Sequence, residues 1–310
     1  MARCMMRLLA VLAILLLPYP AQAEIRVSDD RGRSLVLRQP AGRIVSLYAG
    51  HSENLLAIGA GDLLAAVSEG DDPDLFPGVP RLSFHTDAEQ ILALAPDLVL
   101  IRPFAESTLG ETVHILERSG VAVVSLDPPT WDGMGPYLSK LGAMTGIESA
   151  ENLWREKTAA VAKKVPEEGR PRVFLESSFR GLKTCSPSSW AAHVIHLAGG
   201  VNSAGEARPL REASPLAPWG EERLLALAVE GIDVYLVQAG AMNPVKEQDV
   251  LSRPWISGLG NARIVLVPEE YISRPSLFRL AESVDRLFKV LCIPKEEYSH
   301  DILGSGARPR

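Results

Sequence analysis

IESAENLWREKTAAVAKKV, residues 147–165, decides how this chain is read. Its apolar residues Ile147, Ala150, Trp154, Val161 and Val165 recur at helical spacing, with Glu151, Arg155, Glu156, Lys163 and Lys164 between them. That recurrence marks a helix with one buried face and predicts a single long helix. The sequence on one side of it echoes the other. Before it stands EQILALAPDLVLI (89–101), an amphipathic half-helix running into an apolar strand; after it stand ERLLALA (222–228) and, past a short insertion, DVYLV (233–237). Two similar α/β halves joined by one helix follow from this, with function at the seam between them.

Working outward, strand and helix alternate on both sides. A hairpin is expected over residues 24–37 and a strand over 43–48, with Ser52 capping a helix over 53–58 that Gly59 and Gly61 end. A strand over 64–67 and an irregular acidic stretch over 69–80 come next, then a helix over 87–94 stopped by Pro96 and a buried strand over 98–101. A helix over 111–119 and a strand over 121–126 complete this half, and residues 137–144 lead into the connecting helix. Past a polar stretch at 166–171 the pattern restarts. Strands are expected at 172–176, 234–237 and 264–267, and helices at 188–198, 221–228 and 276–291. Such alternation implies parallel sheets with helices on both faces. The predicted fold is therefore α/β, two doubly wound lobes (24–136 and 167–310) joined through connecting helices at 137–166.

Residues 1–23 are read apart from the fold. Arg3 and Arg7 precede the apolar run 8–17, and Ala21-Gln22-Ala23 offers small residues before a cut, the three-part form of a secretory signal. The run is short for a membrane span. Cleavage after Ala23 would leave a soluble, exported, periplasmic chain. The whole sequence of 310 residues carries 32 basic and 38 acidic side chains. Losing Arg3 and Arg7 leaves 30 against 38, a net charge of −8, which argues against a nucleic-acid or anionic-membrane partner. Cys185 and Cys292 remain after export and read as two separate buried thiols rather than a bridge.

RIVSL (43–47), AIGAGDLLAAVS (57–68), DAEQILALAPDLVLI (87–101), GVAVVSLDP (120–128), YLSKLGAMTG (137–146), HLAGGVN (196–202) and WGEERLLALAVEGIDVYLV (219–237) occur in an order and spacing that resembles one family. It is that of the periplasmic substrate-binding proteins of ABC importers for iron complexes and cobalamin. The resemblance implies two α/β lobes bridged by one rigid helix, with little hinge closure. It implies a monomeric carrier that catalyses nothing, has no intrinsic cofactor, and captures a ferric siderophore or related iron complex. The alternative is a corrinoid or haem. It also implies delivery to an inner-membrane permease with its ATPase, docked through Glu89 and Glu222, whose charges would pair with permease arginines.

Ligands of open α/β sheets lie beyond the carboxyl ends of the strands. Those loops hold the candidate ligand-binding residues. Tyr48, Phe104, Trp131 and Tyr271, and Trp190 inside the expected helix over 188–198, offer flat apolar surface, Trp190 reading equally as core. Arg102, Arg180 and Arg274 offer guanidinium forks for an anionic chelate. His51 offers an imidazole to the pocket, and to the metal only through the chelate. Two rivals are weaker. Gly50-His-Ser-Glu-Asn54 departs from the nucleophile elbow of exported hydrolases at its last position. A receptor for bare zinc or manganese needs several converging ligands, and only His51 is well placed, His193 and His196 reading as core or surface.

Overall fold

The fold, a computed structural model, is described for residues 24–83, 85–161, 169–211 and 214–292. The expected leader, residues 1–23, and the end of the expected connecting helix past Val161 lie outside these residues. Two strands, β1 (Ile25–Ser28) and β2 (Ser34–Leu37), form an antiparallel hairpin. The first lobe follows with β3 (Ile44–Ser46), α1 (Ala49–Ala57), β4 (Leu64–Ser68), β5 (Arg81–Leu82), α2 (Ala88–Leu92), β6 (Leu98–Ile101), α3 (Pro103–Arg118) and β7 (Ala122–Ser125). Its sheet is parallel, in the order β5-β4-β3-β6-β7. All four residues of β6 are buried because helices cover both faces. Val99 and Ile101 pack with Ile91, Leu109 and Leu116 of α2 and α3, while Leu98 and Leu100 pack on the other face with Leu55 of α1.

Two helices, α4 (Met134–Thr145) and α5 (Ala150–Val161), carry the chain out of this lobe. The second lobe comprises β8 (Arg172–Glu176), β9 (Lys183–Cys185), α6 (Trp190–Leu197), β10 (Val201–Asn202), β11 (Leu216–Pro218), α7 (Glu221–Glu230), β12 (Val234–Ala239), α8 (Glu247–Leu251), β13 (Arg263–Pro268), α9 (Glu269–Ile272) and α10 (Leu280–Cys292). Its sheet is again parallel, β10-β8-β12-β13, with β9 and β11 set apart as an antiparallel pair.

Several boundaries differ from the sequence reading. The joining helix begins at Ala150 rather than Ile147, because α4 ends at Gly146 in the left-handed region (φ +77°) and the Ile147 N–H closes onto the Gly142 carbonyl. Gly142 is required there: a Cβ would overlap the Ile147 carbonyl oxygen and lie 2.9 Å from that of Ala150. Helix α1 starts at Ala49, so Ser52 lies inside it and does not cap it. Helix α3 starts at Pro103, well before residue 111, with proline in the first turn where its missing N–H is harmless.

The lobes touch directly as well as through α4 and α5. Asn54 of α1 donates to the Pro275 carbonyl and accepts from the Leu277 N–H. Leu55 of the first lobe and Trp190, Val234 and Leu280 of the second belong to one continuous hydrophobic core.

Candidate functional site

The strand ends of both sheets converge where the lobes meet, and the first-lobe half of this seam is built on α1. Tyr48, just past β3, lies across the start of that helix, where a Cβ on Gly50 would sit 2.5 Å from the ring. Arg102, at the end of β6, stacks its guanidinium 4.8 Å from the centre of the Tyr48 ring. Phe104 beside it is 75% exposed. Two predicted residues, Tyr48 and Arg102, are thus brought together at one edge of the seam.

Arg274 reaches the seam from the second lobe, but a carboxylate already holds it. Its Nη1 donates to Glu53 Oε1 at 2.9 Å, and Arg279 Nε donates to the same oxygen at 2.8 Å. Arg279 also donates to Asp72 Oδ2 at 3.0 Å. Burial works against the charge of Arg279, and Glu53 outweighs it, holding its pKa above the usual guanidinium range. Glu53, wholly buried between two cations of the other lobe, is thus an interlobe clasp. Arg274 serves that clasp rather than standing free for an anion.

His51 is enclosed. Its Nε2 lies 3.2 Å from the Leu126 carbonyl and its Nδ1 2.7 Å from the Tyr137 hydroxyl. A carbonyl only accepts, so Nε2 carries the proton and Nδ1 accepts from Tyr137. Burial, with the Arg102 charge adding to it, lowers the imidazole pKa to about 4. Both ring nitrogens are engaged and the side chain has no exposed surface, so His51 is a core group here and has no nitrogen to offer a chelate. Ser52 is enclosed too, its hydroxyl within hydrogen-bond reach of Ser46 Oγ at 2.8 Å and Asp71 Oδ2 at 3.2 Å, unlike the exposed serine of a nucleophile elbow.

Trp131 and Trp190 meet each other, not a cleft. Their ring centres lie 5.0 Å apart, and Trp131 also packs on Trp154 at 4.6 Å and stacks on His193 at 4.6 Å, within 5° of parallel. Trp190 is 4% exposed. The group joins the loop past β7, α5 and α6. Tyr271 is likewise occupied, lying between the guanidiniums of Arg279 and Arg286 at 5.3 and 4.3 Å from its ring centre.

The open surface lies on the second lobe. A cavity of about 660 Å³ is bordered by Phe179, Arg180, Leu182, Trp219, Glu222 and Arg223. Arg180 was expected at such a place; Phe179, Trp219 and Arg223 were not singled out. The missed signal was an aromatic followed by Gly220, with φ +89°, at the mouth of a helix. The turn is fixed from below: the Leu182 carbonyl accepts from the N–H groups of Trp219 and Gly220 at 3.0 and 3.2 Å, holding Leu182 itself at φ +32°. Met242, 54% exposed, lies on the β12 strand-end loop of the same lobe.

Glu89 and Glu222 occupy the same position, the second residue of α2 and of α7, each exposed in a helix that leads into a core strand. Among the described residues no group of three or more His, Cys, Asp or Glu could hold a metal ion, and no helix is long and apolar enough to cross a membrane. Cys185 is buried with a free thiol, its pKa raised to about 11 by burial.

Two parallel-sheet lobes with their strand ends facing one seam can be compared with known proteins. The vitamin B12-binding protein of Vibrio parahaemolyticus is 24% identical over 249 residues, covering 77% of this chain and 85% of that one. The cobalamin-binding protein of Halobacterium salinarum is 25% identical over 278 residues, 84% of this chain and 72% of the other. Among solved structures, the periplasmic haem-binding protein of Vibrio cholerae superposes with a TM-score of 0.63 at 20% identity, covering 80% of this chain and 98% of that one. The chain has the periplasmic solute-binding fold. An ABC-type ferric hydroxamate transport protein of Saccharomonospora viridis shares that fold at TM-score 0.62 and 18% identity, over 87% of this chain and 99% of that one. So does the periplasmic vitamin B12-binding protein of Vibrio cholerae, at 0.53 and 21%, over 81% and 96%. No protein-family model matches the chain. The resemblance to solute-binding proteins of iron-complex and cobalamin importers thus holds in sequence and in fold.

Proposed function

We propose that this protein is the periplasmic solute-binding component of an ABC importer. It carries a metal chelate, seated in the open aromatic cavity of the second lobe, to a membrane permease served by an ATPase, and catalyses nothing. The reading takes residues 1–23 as a leader cut after Ala23, 24–136 and 167–310 as the lobes, and 137–166 as the joint. The observation that carries it is the pairing of an open aromatic cavity, Phe179 and Trp219, with two exposed glutamates at equivalent helix positions, Glu89 and Glu222.

For the cargo, a corrinoid is the first reading. Of the arginines that would favour an anionic iron chelate, Arg274 is held by Glu53 and Arg102 lies over Tyr48. The curated relatives named above bind B12 or cobalamin. A ferric siderophore is the second reading, favoured by Arg180, which is exposed and forms no ion pair among the described residues.

Native mass spectrometry of the chain from Glu24 to Arg310, incubated with cobalamin, cobinamide, haem and ferric siderophores, tests this. One retained adduct, weakened by Trp219→Ala, is expected; no adduct from the pool would overturn the reading. Docking has its own test. Glu89→Arg, outside the lining of the cavity, should leave adduct formation intact, and together with Glu222→Arg it should abolish cargo uptake by cells, since rim charges govern encounter more than cargo affinity. Unchanged uptake would remove both residues from the docking face.

A further inference from the structure

A second cavity of about 780 Å³ lies in the same lobe, lined by Gly205, Glu206, Ala207, Arg208, Pro218 and Arg223. It is within the size of small-molecule sites, roughly 300–1,000 Å³. Arg223 borders both this cavity and the one holding Phe179 and Arg180.

Its cations are unspent. Elsewhere the guanidiniums of Arg33, Arg253, Arg274 and Arg279 each face a carboxylate. Arg208 is exposed and forms no ion pair among the described residues, and the contact of Arg223 is with the Trp219 ring, 3.8 Å from its centre. A guanidinium laid flat on an aromatic keeps its N–H edge free for a second partner. One acid, Glu206, borders the cavity, so two guanidiniums stand against one exposed carboxylate. The chain as a whole is acidic, with a net charge of −6, so a local positive pair is not a by-product of bulk charge.

We propose that this cavity is an oxyanion subsite, in which Arg208 and Arg223 clasp a phosphate or carboxylate. Forked guanidinium donors match the oxygens of both groups. Because Arg223 also borders the aromatic cavity, the anion is an acidic arm of the cargo seated next door; this part rests on the carrier reading. The arrangement separates two tasks: Phe179 and Trp219 take the flat apolar body, and Arg208 and Arg223 take the charge.

The test starts with inorganic phosphate on the whole mature chain, followed by the indole N–H resonances. The Trp219 indole N–H is buried with no acceptor among the described residues, and Arg223 lies on its ring, so its resonance reports on the subsite. Saturable binding that shifts this resonance is expected, with Arg208→Gln and Arg223→Gln each weakening it on the order of tenfold. Arg26→Gln, an exposed arginine paired with Glu24, should leave it unchanged. No saturable binding, or binding indifferent to Arg208 and Arg223, overturns the proposal.

The source of the anion is read with two corrinoids, cobalamin, whose nucleotide arm holds a phosphodiester, and cobinamide, which lacks it. If Arg208→Gln weakens cobalamin about tenfold and spares cobinamide, the anion is the cargo's own arm. If it affects neither corrinoid but abolishes phosphate binding, the cargo-arm assignment falls and a free-oxyanion site remains. If phosphate binds and no corrinoid does, the corrinoid reading fails while the oxyanion subsite stands.

Discussion

His51 shows how far a single side chain can depart from what its position promises. It follows a strand end, where ligands are sought, yet its ring lies in the core with both nitrogens bonded. Its pKa of about 4 has a measurable consequence. The unfolded chain takes up this proton near pH 6.5 and the folded chain only near 4, so the native state is favoured above pH 6.5 and loses that advantage as pH falls across the window. The loss amounts to about 3 kcal/mol once pH drops below 4. Urea denaturation at pH 7 and pH 4.5 should show this fall in the parent, and His51→Gln, less stable at pH 7, should show a smaller one. Equal pH slopes would remove His51 from the account. Position in a strand-end loop was legible in the sequence; the direction of the side chain was not. Phe104 and Arg180 point to open surface, whereas His51, Trp190 and Tyr271 turn toward other parts of the protein.

At the scale of elements, the sequence was most readable where burial is complete on both faces. Leu98–Ile101 and Arg172–Glu176 have the limits their apolar runs indicated, since a covered parallel strand needs no alternation and ends where polarity returns. The β9–β11 pair was not legible. Each strand has three residues, and their partners are far apart in the chain, Lys183 opposite Pro218. Helix α3 begins earlier than the expected residue 111: Pro103 starts it, and Leu109 and Val113 bury its inner face. The Glu53 clasp is a further element-scale feature, joining α1 to the segment before α10 across 221 positions of sequence. Glu53→Ala leaves Arg274 and Arg279 adjacent and buried without their shared anion. A loss of about 3–5 kcal/mol is expected, read from denaturant midpoints. The triple change Glu53→Leu, Arg274→Met and Arg279→Met should recover much of it, because none of the three charges is then stranded. Failure of the triple variant to recover would show that the clasp acts through packing rather than charge.

At the scale of the whole molecule, contacts on several sides tie the two lobes together. Helices α4 and α5 join the lobes, the Trp131 group packs across them on one side, Asn54 and Glu53 lock them on another, and one hydrophobic core runs through both. Cargo binding should therefore change the radius of gyration in solution scattering by less than about 1 Å, the range of pre-organised complexes. A larger contraction would mean that the contacts around Glu53 and Asn54 break in the free protein. Urea should likewise unfold both lobes in a single transition, because neither can lose its inner face without exposing that of the other.

The grouping of aromatic rings carries an optical consequence. Of the five tryptophans, Trp131, Trp154 and Trp190 form one stacked group, Trp219 borders the open cavity, and Trp255 lies in the second-lobe core. Emission from the group reports on whether the lobes are together, and emission from Trp219 on whether the cavity is filled. Quenching by cargo that disappears in Trp219→Phe, with the near-ultraviolet dichroism of the stacked rings unchanged, would separate loading from opening in a single cuvette. The chain carries its own pair of fluorophores for the two events a carrier must keep distinct.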